Sequence, residues 1–235
     1  MVTLLALGLL AGVLTTVAGM GGGLLLIAAI GALRGPHVAL AITSPALLVS
    51  NAHRAFLFRA DIDRKVARAF ALGAVPGAIL GGIFVPDLPA WVLAAILVGA
   101  TSLTLAKVVG LVKLRPNPNA IGTSGFGIGV LTATAGGAGV LTSPLFLSAG
   151  LAGTAYIATI AVGAVALHVG RVIGYGIGGL FSADMLPEIA LLAAALVAGN
   201  FLGKRVRGWL PPSKAIYVET GALVACTLLA VVGIR

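Results

Sequence analysis

Two long apolar runs, at residues 3–33 and 120–149, are each interrupted by a cluster of glycines. Glycine is a poor helix former because it loses the most backbone freedom on folding, so a helix is expected to end at each cluster. The broken backbone then leaves amide and carbonyl groups without helical partners. In a bilayer such groups are tolerated only against protein or a water-filled cavity. We therefore predict that the two clusters lie at a functional site.

The composition indicates that these runs belong to a membrane protein. Of the 235 residues, 60% are apolar and 9% are charged, and the mean hydropathy is +1.15. Too few charged residues remain to cover a soluble globule, so the sequence predicts an all-α polytopic membrane protein. The net charge of +9 is interpreted as cytoplasmic anchoring rather than nucleic-acid binding, because the basic residues mostly flank apolar runs.

Six further apolar segments follow the broken runs, and basic or proline-containing loops separate them. The expected spans cover residues 38–58, 69–85, 90–112, 155–178, 186–203 and 215–234. Basic loops are expected at 59–68 and 204–207.

The second half of the chain repeats the first. Residues match at an offset of 117 in the early part of each half and at an offset of 122 in the later part. The matched pairs include Gly12 with Gly129, Arg54 with Arg171, and Gly77 with Gly199. We assign the first repeat to residues 1–112 and the second to 120–235, joined by a loop at 113–119 within one membrane domain. Internal repeats of this kind are typical of secondary transporters.

The basic residues distinguish two ways of threading the broken runs. If each run crosses the membrane once, the loops on the two faces carry seven and five Lys and Arg residues. If each run enters and leaves on the same side, the numbers become ten and two. The positive-inside rule favours the second arrangement. Each half then holds a re-entrant helical hairpin and three transmembrane helices, the two repeats have inverted topology, and both chain ends lie outside.

The glycine clusters are candidates for binding an anion through the backbone. Two half-helices that meet near the midplane would direct N–H groups at a shared site if their N-termini point inward. The alternative is that the glycines only allow helices to pack closely. The candidate backbone donors are Gly19, Gly21, Gly22, Gly23, Gly136, Gly137 and Gly139.

Arg54 and Arg171 lie within apolar runs at matching positions of the two halves. Asn51 lies three residues before Arg54, and His168 three before Arg171, so each pair shares a helical face. A buried cation costs at least about 2.5 kcal/mol in a membrane, which favours a functional role for Arg171. Arg54 is near the end of its segment, and it either joins the site or extends to the headgroups.

Hydroxyl groups and missing carboxylates refine the predicted chemistry. Thr43 and Ser44 precede Pro45, which removes one helical hydrogen bond, and both hydroxyls are candidate ligands. All six acidic residues lie in loops or close to span ends. This disfavours a cation path and favours an anion path lined by arginine, histidine, hydroxyls and amides. The sequence has no His-Glu-x-x-His zinc pair, no Gly-x-Gly-Asp or Gly-x-Ser-x-Gly motif and no phosphate-loop lysine, which predicts a protein that is not an enzyme and has no cofactor or metal.

Several short motifs resemble those of the sulfite exporter TauE/SafE family. They are Ala18–Gly23, Thr43–Ser44 and Ala60–Asp63 in the first half, echoed by Gly136–Gly139 and in part by Ala158–Thr159. The resemblance covers almost the whole chain. It implies a small bacterial inner-membrane protein with two related halves that exports sulfite, sulfonates or other organosulfur anions.

Taken together, the residues and the resemblance predict a multi-pass secondary transporter of the bacterial inner membrane. It is expected to export sulfite or a related sulfur-containing anion, with that anion and the lipid bilayer as its partners and no nucleic acid. A homodimer is left open. An anion channel, a small-solute uptake permease and a membrane-embedded subunit acting on lipid are the alternatives.

Overall fold

The described part of the chain is helical, as predicted for an all-α membrane protein. A computed structural model describes residues 1–19, 21–108, 111 and 120–209. The predicted loop at 113–119 and the predicted span at 215–234 lie outside these residues. The α-helices within them are α1 (Val2–Ala18), α2 (Gly22–Arg34), α3 (Pro36–Leu57), α4 (Arg64–Ile83), α5 (Ala90–Val108), α6 (Ile121–Ala135), α7 (Ala138–Ser148), α8 (Gly153–Ile177) and α9 (Leu186–Trp209).

Helix length separates the spanning segments from the broken runs. The segments Arg64–Asp87, Gly153–Ile177 and Ala183–Trp209 are long and apolar enough to cross a membrane. The arms of the first broken run are shorter: α1 has 17 residues and α2 has 13. At about 1.5 Å per residue, α1 is about 25 Å long, which is less than the hydrocarbon core of about 30 Å.

The first broken run folds back on itself at its glycines. Gly19, which ends α1, has a φ of 82°, and Gly21, which precedes α2, has a φ of 97°. Only glycine adopts such angles readily. A methyl group placed on Gly22 would overlap the Thr15 hydroxyl and the Ala11 carbonyl, so α2 runs back along α1. We name α1 and α2 hairpin 1, with Gly19 and Gly21 at its tip.

The second broken run forms a corresponding hairpin. Its turn is made by Gly136 and Gly137, which have φ angles of 73° and 71°. Phe146, near the end of α7, packs edge-on against Phe70 of α4 with ring centroids 5.1 Å apart. Gly125, near the start of α6, lies against the same Phe70 ring. The two arms therefore lie side by side, and we name α6 and α7 hairpin 2.

Each hairpin packs its first arm against a long helix of the other half. A methyl group on Gly12 of α1 would overlap the Leu196 carbonyl of α9. At the matching position, a methyl group on Gly129 of α6 would lie 2.6 Å from the Ala74 carbonyl oxygen of α4. These two contacts are related by the offsets of 117 and 122 found in the sequence. Small residues thus allow two equivalent close helix pairs.

The hairpins open at opposite ends of the molecule. At the open end of hairpin 1, Arg34 forms an ion pair with Glu188 at the start of α9. The end of α3, which leads into α4, lies beside the end of α9, where the Lys204 ammonium is 5.8 Å from the centre of the Phe58 ring. Helices α4 and α9 are therefore antiparallel. The first arms of the two hairpins, α6 alongside α4 and α1 alongside α9, are likewise antiparallel to each other. The orientation of these ends in the membrane, and with it the inverted topology of the repeats, stays a prediction.

Two predicted loop boundaries are wrong. The basic segment 204–207 continues α9, which ends only at Trp209, and Arg64 already begins α4. The Asp63 carboxylate accepts backbone N–H bonds of 3.0 Å from Lys65 and Val66, which caps α4 at that point. Lysine and arginine are good helix formers, so a charged stretch does not by itself end a helix.

Candidate functional site

A small cavity lies between the tips of the two hairpins and the facing surfaces of α3 and α8. Its volume is about 30 Å³. Five of the predicted glycines line it: Gly19, Gly21, Gly23, Gly137 and Gly139. The predicted side chains that line it are Asn51, Arg54, His168 and Arg171. The structure therefore brings residues from both halves to one place.

Four predicted residues do not line this cavity. Gly22 packs against α1, and Gly136 packs against the Ile27 side chain of α2. The hydroxyls of Thr43 and Ser44 are buried and donate to carbonyls one turn earlier in α3, at 2.7 Å in both cases. Such hydroxyls satisfy themselves within their own helix rather than facing a ligand.

Arg54 is held by hairpin 1. Its NH1 group donates to the carbonyls of Thr15, at 2.7 Å, and Gly19, at 3.4 Å. Its NH2 group donates to the Asn51 side-chain oxygen at 2.9 Å. The side chain is 2% exposed, so it is buried and does not extend to the headgroups. Its cationic end meets the carbonyl end of α1, where the helix dipole favours positive charge.

Arg171 is held within α8. Its Nε group donates to the Tyr175 hydroxyl at 3.2 Å, and its NH1 group lies 3.4 Å from Nδ1 of His168. The Tyr175 hydroxyl in turn donates to the Ala133 carbonyl of α6. The contacts of Arg54 with Asn51 and of Arg171 with His168 agree with the predicted shared faces. Arg171 is 0% exposed.

The two guanidinium groups place positive charge around the cavity without a carboxylate to balance it. Arg54 Nε and Arg171 NH2 are the buried side-chain nitrogens that have no hydrogen-bond partner among the described residues. The cavity lining that the structure describes contains no Asp or Glu. Buried charge of this kind is costly unless a counter-charge and hydrogen-bond acceptors are supplied. An anion with several oxygen atoms would supply both.

Two helix N-termini also reach the cavity. Gly23 and Leu24 from the first turn of α2 line it, as do Ala138 and Gly139 from the first turn of α7. No side chain of the described residues caps either terminus. The N–H groups of a first helical turn have no partner within the helix, and they carry the positive end of its dipole. These N–H groups are neutral hydrogen-bond donors that line the cavity together with the two buried arginines.

The tip of hairpin 1 has further polar anchors from α9. Thr16 donates to the Asn200 side-chain oxygen at 2.9 Å, and the Asn200 amide donates to the Ser50 carbonyl at 2.9 Å. Arg207 NH1 donates to the Val17 carbonyl at 2.6 Å. The last turn of α1 is thus bound by Arg54, Asn200 and Arg207 together.

Tyr175 and the apolar wall were missed by the sequence analysis. Tyr175 lies four residues after Arg171 on the same helix, and that spacing could have revealed the contact. Leu24, Ile27 and Leu47 form apolar parts of the cavity wall, and nothing distinguishes them from other core leucines and isoleucines in the sequence. Within the described ranges, no group of three or more His, Cys, Asp or Glu residues is placed to hold a metal.

Within the described residues, three helical segments are long and apolar enough to cross a membrane, which indicates an integral membrane protein. Residues 4–233 match the model of the family described as Sulfite exporter TauE/SafE. The chain therefore belongs to the TauE/SafE family of sulfite exporters, a transporter family, and the predicted resemblance is confirmed. No curated protein and no solved structure matches the chain.

Proposed function

We propose that this protein is a secondary transporter that exports sulfite, or a closely related small sulfur oxyanion, across the bacterial inner membrane. The observation that carries the proposal is the pair of buried guanidinium groups, Arg54 and Arg171, each with an unpartnered nitrogen beside one cavity. Sulfite offers a negative charge and three oxygen acceptors in a compact shape. Charge-assisted hydrogen bonds to such oxygens are stronger than neutral ones.

The size of the cavity supports a compact substrate. A volume of about 30 Å³ corresponds to space for about two or three water molecules. A sulfonate with a long organic chain needs more room unless Leu24, Ile27 and Leu47 move apart. We therefore place sulfite ahead of larger organosulfur anions as the substrate.

The membrane potential supports export as the direction. Moving one negative charge out of a cell whose interior is negative by 100 mV releases about 2.3 kcal/mol. Export of an anion therefore needs no coupling cation. The cavity lining that the structure describes has no carboxylate to hold a coupling cation, which supports export without one.

Flux measurements on purified protein in proteoliposomes test this proposal. Vesicles loaded with sulfite are given an inside-negative potential, and efflux is compared with that of vesicles loaded with sulfate or with a long-chain sulfonate. We expect saturable sulfite efflux that accelerates with the potential, and loss of more than about 90% of it in Arg171→Met, because a buried charge-assisted contact is worth about 1.5–3 kcal/mol.

The same vesicles separate the alternatives. A transporter shows trans-stimulation, in which external sulfite accelerates the exit of labelled internal sulfite, whereas an open channel does not. If the wild-type protein moves none of these anions, or if Arg171→Met leaves sulfite efflux unchanged, the proposal is wrong.

A further inference from the structure

The carbonyl ends of the two hairpin arms are neutralised in different ways. In hairpin 1, two cations, Arg54 and Arg207, donate to the last-turn carbonyls of α1. In hairpin 2, the Ala133 carbonyl in the last turn of α6 receives the hydroxyl of Tyr175, which is a neutral donor. The last carbonyls of any helix lack partners within it, so each needs an outside donor.

The two arginines therefore differ in which of their hydrogen-bond donors remain without a partner. The NH1 group of Arg54 donates to hairpin 1 and its NH2 group donates to Asn51 of its own helix. Only its Nε group is without a partner among the described residues. Among the described residues, Arg171 makes no bond to hairpin 2, whose Ala133 carbonyl accepts the hydroxyl of Tyr175. Its NH2 group, with two hydrogens, has no partner in the described structure.

Tyr175 is firmly placed between three helices. It is 0% exposed, and its ring lies against Gly82 of α4, where an added methyl group would come within 3.2 Å of the ring. Its hydroxyl has one hydrogen, given to Ala133, and a lone pair, used by Arg171 Nε at 3.2 Å. A phenol can make both bonds at once, whereas phenylalanine can make neither.

We propose that Tyr175 is a positioning residue for anion binding: it caps α6 in place of Arg171 and orients the Arg171 guanidinium so that NH2 faces the cavity. Arg171 is then the principal cation for the substrate, and Arg54 mainly stabilises hairpin 1. This inference rests on the proposed function. It adds a residue outside the cavity lining and a division of labour between the two arginines.

The test is the apparent KM for sulfite in the proteoliposome assay. In Tyr175→Phe we expect KM to rise about tenfold with a smaller change in maximal rate, because a hydrogen bond that orients a charged ligand group is worth about 1.5 kcal/mol. In Tyr175→Gln, whose amide can donate to Ala133 and accept from Arg171, KM is expected to stay within about threefold of wild type. Thr43→Val, which removes a buried hydroxyl bonded within its own helix, is the matched control and is expected to leave KM unchanged.

A double-mutant cycle distinguishes positioning from a purely structural role. Arg171→Lys removes the planar group that Tyr175 orients, so Tyr175→Phe added to it is expected to change KM by less than about twofold. Equal effects of Tyr175→Phe in both backgrounds would mean that it acts only through packing, and would overturn the inference. If Tyr175→Phe does not fold, Tyr175→Gln is compared with Tyr175→Met, and equal KM values have the same meaning.

Failure of this inference differs from failure of the proposed function. If the wild type carries sulfite but Tyr175→Phe has the wild-type KM, Tyr175 does not position Arg171. If the wild type carries no anion, the proposed function is wrong and the positioning role falls with it.

Discussion

Hairpin 1 and hairpin 2 share a backbone design but differ in how their tips are held. Both turn at glycines with positive φ, and both pack their first arm against a long helix through matched small residues. The last turn of α1 is bound by charged and amide side chains, including Arg54 and Asn200. At the position matching Asn200, α4 has Ala78, and at the position matching Thr16, α6 has Ala133.

This difference indicates that two hairpins with matched helix packing can differ in their polar contacts. Close packing at a glycine depends on the backbones of two helices, so changing either partner costs stability at once. A polar contact such as Thr16 with Asn200 can be replaced by an apolar one when both partners change together, often at small cost. In this chain, the pair is Thr16 and Asn200 in hairpin 1 and α9, and the matching positions hold Ala133 in hairpin 2 and Ala78 in α4.

The largest expected effect separates the two arginines. Arg54→Met would leave the Thr15 carbonyl and the Asn51 side chain without their buried donor, at a cost of about 1–3 kcal/mol for each group. Arg171→Met leaves the bond from Tyr175 to Ala133 in place. We therefore expect the midpoint of thermal unfolding in detergent without sulfite to fall strongly in Arg54→Met and little in Arg171→Met.

Binding of sulfite is the companion measurement for this pair. Calorimetry in detergent is expected to detect no binding to Arg171→Met, although that variant is the more stable of the two. Equal losses of thermal stability would show that the two hairpins use their arginines in the same way.

A decrease in stability of intermediate size is expected from changing the close helix packing that the two hairpins share. Gly12→Ala and Gly129→Ala each place a methyl group against a backbone carbonyl of the neighbouring helix, and such overpacking costs about 1–3 kcal/mol. We expect similar decreases in thermal stability in both variants. Gly99→Ala in α5, where an added methyl group meets none of the described residues within 4 Å, is the matched control and should be neutral or slightly stabilising. A large decrease in only one hairpin variant would contradict equivalent packing.

The smallest effect concerns Asn200 and the polar anchor of hairpin 1. Asn200→Ala removes the bonds to Thr16 and Ser50 and introduces the residue that α4 already has at the matching position. We expect a loss of stability of about 1–2 kcal/mol, measured by thermal unfolding, with the KM for sulfite unchanged. Thr16→Ala combined with Asn200→Ala should cost less than the sum of the single changes, since the two residues share one bond. A raised KM would instead connect this anchor to the substrate.

Much of the architecture could be predicted because its causes are local. The glycine clusters ended their helices as expected, since backbone freedom is a property of the residue itself. Basic segments were harder to assign, and 204–207 proved helical because long charged side chains can extend from a helix into water. Asn51 and His168 were found beside their arginines because a spacing of three residues fixes a shared helical face.

The amino-acid sequence by itself determined the membrane class, the glycine breaks and the two arginines that no nearby carboxylate balances. Each follows from transfer free energies and backbone propensities that act over a few turns of chain. Only the tertiary structure decided that Arg54 binds the end of α1 while Tyr175 binds the end of α6. It also decided that Thr16 meets Asn200, 184 residues away. Such partners depend on which helices pack together, and a local pattern does not contain that information.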